Sequence, residues 1–442
     1  MLETTLLELI LKSVTAAPNA DGSSIKRQGF PSLNGVQSGL GVYYWQSTSF
    51  VLDNGILGGF QRLLGRDWEV SECRKFCSDF VWECLGETLT KNCFLWCGEK
   101  LNEALSTQER NEAEQSLVAY ARAKCKDTPF WFPLNCLSGE DFTGKNFVLR
   151  NTPDIKAHRP KALEEMLKSP DYANADSWLG MTARNLDLAE RKKRIVLGGI
   201  CARLDHQSRY LFTMGKPLER VLSRTDAAIT SFPSTAHFPY LAYPLILSTQ
   251  DEGWLSELDR IVDGTSKEDI KSARCLRFLY SAWFAKESER FALLCMSIDA
   301  LIPANLISMR AKSSWAHEVM GGRVDEWAVE ALLKSLRSDI MHGDAPSLVE
   351  AKKYRQFVSL YHKEPLDALD ALAAEIVRCR VFGQKISERA NPISEMPDVL
   401  SRLRGEYLRY GLTYDVPSTF DFSTLKVGKN WEEKDAAMCP KL

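Results

Sequence analysis

The chain has 442 residues, of which 45% are hydrophobic and 26% are charged, and its formal net charge is −2. This length is enough for two or three domains with sizeable cores. The near-neutral charge offers no general attraction for nucleic acid, which argues against a protein that coats DNA and confines any nucleic-acid contact to a local patch.

The first residues are apolar but are interrupted by Glu3 and Glu8, and no basic region precedes them. This pattern predicts a short amphipathic helix rather than a signal peptide or a membrane span. We therefore expect a cytoplasmic protein without membrane contacts. Its twelve cysteines are spread along the chain, as is typical of reduced, buried thiols.

Residues 1–265 carry mixed signals and predict a mostly helical region with a small amount of β structure. The predicted segments are a loop at 17–40, a strand within 42–52, helices across 68–126, irregular or mixed structure across 127–180, a helix near 188–204 broken at its two glycines, and a helix at 216–229. The polar residues 391–442 predict a tail.

Residues 266–390 are more regular and predict an independent α-helical domain with short connections. Ser266 followed by Asp269 is typical of a helix start, and Pro365 is typical of a first helical residue. Five helices are predicted: one from Ser266, one over 287–302, one over 323–342, one from Ser347 to about His362, and one from Pro365. The fold class expected for the whole chain is mainly α.

The helix over 323–342 has an apolar stripe at the spacing of a buried helix face. Gly343 suits the left-handed residue just past a helix end, so the helix is expected to stop near His342. Its last turn carries Arg337 and His342, both off the stripe at 3.6 residues per turn. We expect these two side chains to face a groove, a partner or water.

Two stretches together resemble a known family. The sequence ESERFALLCMSIDALI at 287–302 and the sequence LRSDIMHGDA at 336–345 are similar to the HEPN superfamily, most of all to its branch named after the ApeA abortive-infection protein. The family signature is an Arg, four to six residues, and a His, which here corresponds to Arg337 and His342. The resemblance covers the C-terminal helical domain and does not extend to residues 1–265.

The bare spacing is not specific, because His317 and His362 each have an Arg seven positions earlier. Arg337 and His342 differ from these two in their context. A Ser follows the Arg, a Gly follows the His, a helix ends there, and the 287–302 helix precedes them.

The resemblance implies a metal-independent ribonuclease with no cofactor, RNA as a partner, and a site formed across a homodimer. His342 would move protons between the 2′-hydroxyl and the leaving 5′-oxygen, since an unperturbed histidine pKa of about 6.5 suits this work. Arg337 would stabilise the phosphate charge. The supporting candidates are Ser338, Asp339, Asp344 and Asp299, the last standing where the family usually has Glu.

Residues five apart lie about 140° apart round a regular helix, so Arg337 and His342 of one chain need not converge. Two chains packed antiparallel would bring both pairs to one groove. The implied biological role is that of an anti-phage or abortive-infection effector, which is a toxin to its host unless controlled. Residues 1–265 would sense a trigger, restrain the nuclease or bind a partner.

Two other interpretations stay open for the same segment. An Arg and a His in a last turn also stabilise the helix dipole, so the segment can be purely structural in a regulatory helical protein. A HEPN module can also lack catalysis and act in dimerisation or RNA binding.

Two further clusters stand out. The pairs Cys73/Cys77 and Cys93/Cys97 each place two thiols on one helical face and allow a tetrahedral zinc site. Structural zinc sites more often use a Cys-x-x-Cys spacing, so the pattern favours ordinary buried cysteines. The basic run Arg191, Lys192, Lys193 and Arg194 is typical of the solvent-exposed face of a helix and is also a candidate for RNA phosphate contacts.

Overall fold

A computed structural model describes the chain in two compact units, Met1–Asp127 and Thr128–Leu442. The described residues are 7–11, 14–16, 48–50, seven positions between 72 and 84, 105–124, 127–153, 160–204, 209, 217–224, 228–241, 244–383, 385–386 and 420–426.

In the first unit, strand β1 (Val14–Ala16) pairs antiparallel with β2 (Thr48–Phe50), and helix α1 covers Thr107–Lys124. The strand predicted within 42–52 is confirmed at 48–50. Residues 7–11 are helical, as the amphipathic pattern predicts.

The second unit contains a six-stranded antiparallel sheet in the order β5-β6-β7-β3-β8-β9. Its strands are β3 (Thr128–Leu134), β5 (Phe142–Thr143), β6 (Phe147–Arg150), β7 (Ser177–Ala183), β8 (Arg220–Arg224) and β9 (Ile229–Pro233). A separate parallel pair joins β4 (Leu137–Gly139) to β10 (Leu245–Leu247). The fold is therefore mixed α and β, and the prediction of a mainly α protein is wrong.

The sheet is absent from the prediction because its central strand, β3, contains two prolines. A proline cannot donate to a strand neighbour, so TPFWFPL indicates irregular structure when it is considered alone. In the structure, Phe130 and Trp131 pair with strands on both sides, whereas Pro129 and Pro133 pair only with β7. The prolines thus flank the stretch that needs two sets of strand hydrogen bonds.

The helix predicted at 216–229 is also wrong, since β8 and β9 form an antiparallel hairpin there. Val221 and Leu222 are fully buried in β8. Such a short apolar run is compatible with either a helix or a buried strand, and pairing with β3 and β9 decides between them.

Helix α2 covers Pro160–Leu167, and α3 runs without a break over Leu186–Arg203. The two glycines of α3 allow close helix packing rather than a break. A Cβ on Gly198 would lie 2.1 Å from the carbonyl oxygen of Leu276, and one on Gly199 would lie 2.8 Å from Leu258 Cδ2.

The C-terminal helices are α4 (Glu252–Val262), α5 (Lys267–Phe284), α6 (Glu287–Leu301), α7 (Met309–Val319), α8 (Glu326–Glu330), α9 (Arg337–Met341), α10 (Tyr354–Tyr361) and α11 (Pro365–Arg380). The starts at Ser266 and Pro365 agree with the sequence, because the Ser266 side chain accepts the Asp269 N–H and Pro365 opens α11. The helix expected from Ser347 begins at Tyr354 instead, after a 3₁₀ turn at Leu348–Glu350.

One hydrophobic core runs from the sheet through α3 into these helices. It includes Phe132 of β3, Val196 of α3 and Leu276 of α5, all of which are buried. The division of the chain falls between Asp127 and Thr128 rather than near residue 265. The helical bundle and the sheet therefore belong to the same compact unit.

Candidate functional site

The helix that carries Arg337 and His342 changes its geometry partway along. Helix α8 is followed by a π-helical segment at Ala331–Leu336 and then by α9. The predicted apolar stripe is buried from Val324, which is 2% exposed, to Leu336 at 0%, and its last member, Ile340, is partly buried. The wider π turn lies directly before Arg337, and such turns occur often at functional sites.

The helix ends where the sequence predicts. Helix α9 ends at Met341, His342 is the C-cap residue, and Gly343 has a φ of +76°. Residues other than glycine rarely adopt this left-handed conformation. The glycine thus turns the chain away immediately after His342.

Arg337 is held by side chains from two neighbouring helices. Its Nη2 lies 2.6 Å from Oδ2 of Asp299 on α6, and its Nη1 lies 3.4 Å from the sulfur of Met309, the first residue of α7. The Arg337 side chain is 20% exposed. The guanidinium is therefore oriented by protein contacts at a partly open surface.

Asp299 also faces a second cation, because its Oδ1 lies 3.9 Å from Nζ of Lys312 on α7. One turn before Asp299, Cys295 is buried, and this burial raises the pKa of its thiol. The thiol is therefore neutral. Among the described residues, the ion pairs of Asp299 are those with Arg337 and Lys312.

His342 is exposed at the end of α9. Its backbone N–H donates to the carbonyl of Ser338 at 3.0 Å, whereas its imidazole has no hydrogen-bond or ion-pair partner within the described part of the chain. It lies five positions after Arg337, which corresponds to about 140° in a regular α-helix. The structure records no contact between these two described side chains.

The other supporting candidates differ in burial and in hydrogen bonding. Asp339 is buried, its carboxylate accepts the Lys352 N–H at 2.9 Å, and its carbonyl accepts the Ala345 N–H at 3.0 Å. It holds the loop that follows His342. Ser338 and Asp344 are exposed, and in the described residues neither side chain has a hydrogen bond.

Sequence reasoning missed helix α7 and, with it, Met309 and Lys312. A local signal was available, since Ser308 caps α7 by accepting the Ala311 N–H at 3.1 Å and Pro303 lies past the end of the preceding helix. Nothing in the local sequence, however, indicates that α7 packs beside Asp299.

The two lysines of the basic run on α3 are too buried to contact a phosphate. Lys192 is buried and pairs with Asp263 at 2.9 Å, and Lys193 is fully buried. Only Arg191 and Arg194 of this run are partly exposed.

Cys73 and Cys77 are buried at helical positions. Burial raises the pKa of the Cys77 thiol, and the neighbouring Cys73 makes a smaller contribution in the same direction. Cys93 and Cys97 lie outside the described residues. Among the described residues, no group of three or more His, Cys, Asp or Glu is arranged to hold a metal ion.

No protein-family model, curated protein or solved structure matches this chain. Among the helices of the described residues, none combines the length and the apolar character that crossing a membrane requires.

Proposed function

We propose that this protein is a metal-independent RNA endonuclease of HEPN type, with His342 in proton transfer and Arg337 against the phosphate. The observation that supports this most is the pairing of Arg337 with Asp299 beside a helix end that exposes His342. These three residues come from the two stretches that resemble the HEPN signature.

The chemistry follows from the two side chains. The 2′-oxygen attacks the phosphorus, the bond to the 5′-oxygen breaks, and a proton passes from the 2′-hydroxyl to the leaving oxygen through histidine. A planar, always protonated guanidinium stabilises the charge that builds on the phosphate oxygens. The expected products carry a 2′,3′-cyclic phosphate and a 5′-hydroxyl.

The separation of Arg337 and His342 round α9 supports a site completed by a second copy of the chain. In this proposal, two chains pack antiparallel and bring both pairs of residues to one groove. Full RNA cleavage by a strictly monomeric protein would contradict this part. We further propose that the protein acts in the cytoplasm as an abortive-infection effector controlled by a trigger or an inhibitor.

The test is incubation of purified full-length protein with RNA in the presence of EDTA. Wild type is expected to cleave, and Arg337→Ala and His342→Ala are each expected to abolish cleavage while dimerisation and the circular dichroism spectrum persist. His317→Ala is the matched control, because His317 also lies in a last helical turn after an upstream arginine.

A substrate with a 2′-deoxyribose at the cleaved position should remain intact, since it lacks the attacking hydroxyl. If wild type binds RNA without cleaving it, an inactive HEPN binding module is favoured instead. If neither binding nor cleavage occurs and the two substitutions only lower the free energy of unfolding, by about 1 kcal/mol, the segment is a structural helix end.

A further inference from the structure

Asp299 is shared by two cations at a partly open surface. Its two oxygens face Arg337 Nη2 at 2.6 Å and Lys312 Nζ at 3.9 Å. The exposed fractions of these side chains are 27% for Asp299, 20% for Arg337 and 24% for Lys312. These three side chains together carry two positive charges and one negative charge, and each is partly open to solvent.

The two contacts of Asp299 are unequal. The Arg337 contact has the length of a charge-assisted hydrogen bond, and the Met309 sulfur lies near the other guanidinium nitrogen. The Lys312 contact is longer than a hydrogen bond, and a partly exposed ion pair at this distance contributes little to stability. Lys312 can therefore leave Asp299 at small cost, whereas Arg337 stays fixed.

We propose that Lys312 is a second phosphate-binding residue of this site, contacting an oxygen of the RNA backbone while Asp299 keeps Arg337 in place. Its ammonium is a compact charge on a flexible stem, which suits a phosphate oxygen better than the edge of a base. A phosphate contact carries no sequence information, so Lys312 should strengthen the binding of any RNA sequence. This inference rests on the proposed function and deepens it by assigning backbone recognition.

The binding test uses full-length His342→Ala protein and a fluorescently labelled single-stranded RNA, with EDTA present, over a range of salt concentrations. Adding Lys312→Gln is expected to weaken binding several-fold and to reduce the slope of log affinity against log salt by about 0.7. Adding Lys271→Gln is the matched control, because the Lys271 side chain is 29% exposed and pairs with Glu268 at 3.2 Å. It should change neither quantity.

The kinetic test uses the protein with His342 intact. Lys312→Gln should raise KM several-fold with little change in kcat, and Lys312→Arg should restore KM because it keeps the positive charge. A merely structural role would instead lower the melting temperature and would not depend on salt.

The outcomes separate this inference from the proposed function. If wild type cleaves RNA and Lys312→Gln binds and cleaves as the Lys271→Gln control does, Lys312 does not contact phosphate and the ribonuclease proposal stands. If wild type neither binds nor cleaves RNA, both proposals are overturned.

Discussion

At the scale of single residues, Asp259 of α4 fastens the turn between β5 and β6. Its carboxylate accepts the backbone N–H groups of Lys145, Asn146 and Phe147 at 2.8, 2.8 and 3.1 Å. If a side chain without acceptors replaced this carboxylate, the three backbone donors would lose their hydrogen-bond partners.

Asp259→Ala is expected to lower the free energy of unfolding by about 2–3 kcal/mol, measured by urea denaturation. Asp259→Asn should cost less, since one amide oxygen can still accept from Asn146 and Phe147. Equal losses for the two variants would show that hydrogen bonding to this turn is not what Asp259 contributes.

The buried surroundings of Lys193 change the pKa of its side chain. Its Nζ lies 2.5 Å from Glu190 Oε2, 3.1 Å from His237 Nδ1 and 5.1 Å from the centre of the Phe132 ring. Burial lowers the pKa of Lys193 to about 8. The Glu190 carboxylate acts in the opposite direction and raises this pKa, whereas the Arg194 charge lowers it. Burial and the Lys193 charge also hold the pKa of His237 well below its usual value, so a neutral ring accepts from Lys193.

This pKa difference predicts a pH dependence of stability. Lys193 has a lower pKa in the folded chain than its ordinary 10.5, so the unfolded chain holds more protons between about pH 8 and 10.5. The free energy of unfolding should therefore rise with pH in this window. Lys193→Met should remove this contribution to the rise in the free energy of unfolding, measured by thermal unfolding from pH 7.5 to 10.5. An unchanged pH profile would contradict the lowered pKa of Lys193.

At the scale of elements, α3 joins the sheet to the helices because its glycines permit close approach. The space beside Gly198 is filled by the backbone of α5, where the carbonyl of Leu276 lies. Backbone cannot move aside as the end of a flexible side chain can. The stretch GGI thus serves packing rather than a helix break.

Gly198→Ala is expected to force α3 and α5 apart and to lower the free energy of unfolding by about 2–3 kcal/mol. Gly253→Ala is the matched control, since a Cβ there meets nothing within 4 Å. This control should be neutral or should stabilise the protein by about 0.5 kcal/mol. Chemical denaturation measures both, and equal effects would refute the close-packing argument.

At the scale of the whole molecule, the helical bundle depends on residues before position 266. Arg378 of α11 is 4% exposed and donates to the carbonyls of Ala202 and Leu204 at 2.8 and 3.0 Å. Tyr280 of α5 donates to the carbonyl of His237 at 2.9 Å. These buried polar groups would lose their partners in a shorter fragment.

A fragment of residues 266–390 is therefore expected to unfold without cooperativity and to bind a hydrophobic dye, whereas residues 128–442 should show a single cooperative transition. The two fragments can be compared by thermal unfolding with circular dichroism. A cooperative transition in the shorter fragment would show that the bundle is independent of the sheet.

Much of the C-terminal half could be predicted from the sequence because its signals are local. Ser266, Pro365 and Gly343 act within one turn of their own helices, and an apolar stripe reports one buried face. These signals predict the end of the helix at His342, which is the C-cap residue of α9.

Features that depend on contacts between distant segments cannot be recognised before the chain is folded. The proline-containing strand β3 is recognisable only through its pairing with β7 and β8, which lie far along the chain. Likewise, only packing brings α6 and α7 to Arg337. It gives the guanidinium its partner Asp299 and places Lys312 near the Asp299 carboxylate. Local sequence specifies which residues end the helix, whereas packing specifies which charges surround them, because capping acts within a turn and ion pairing needs two segments to meet.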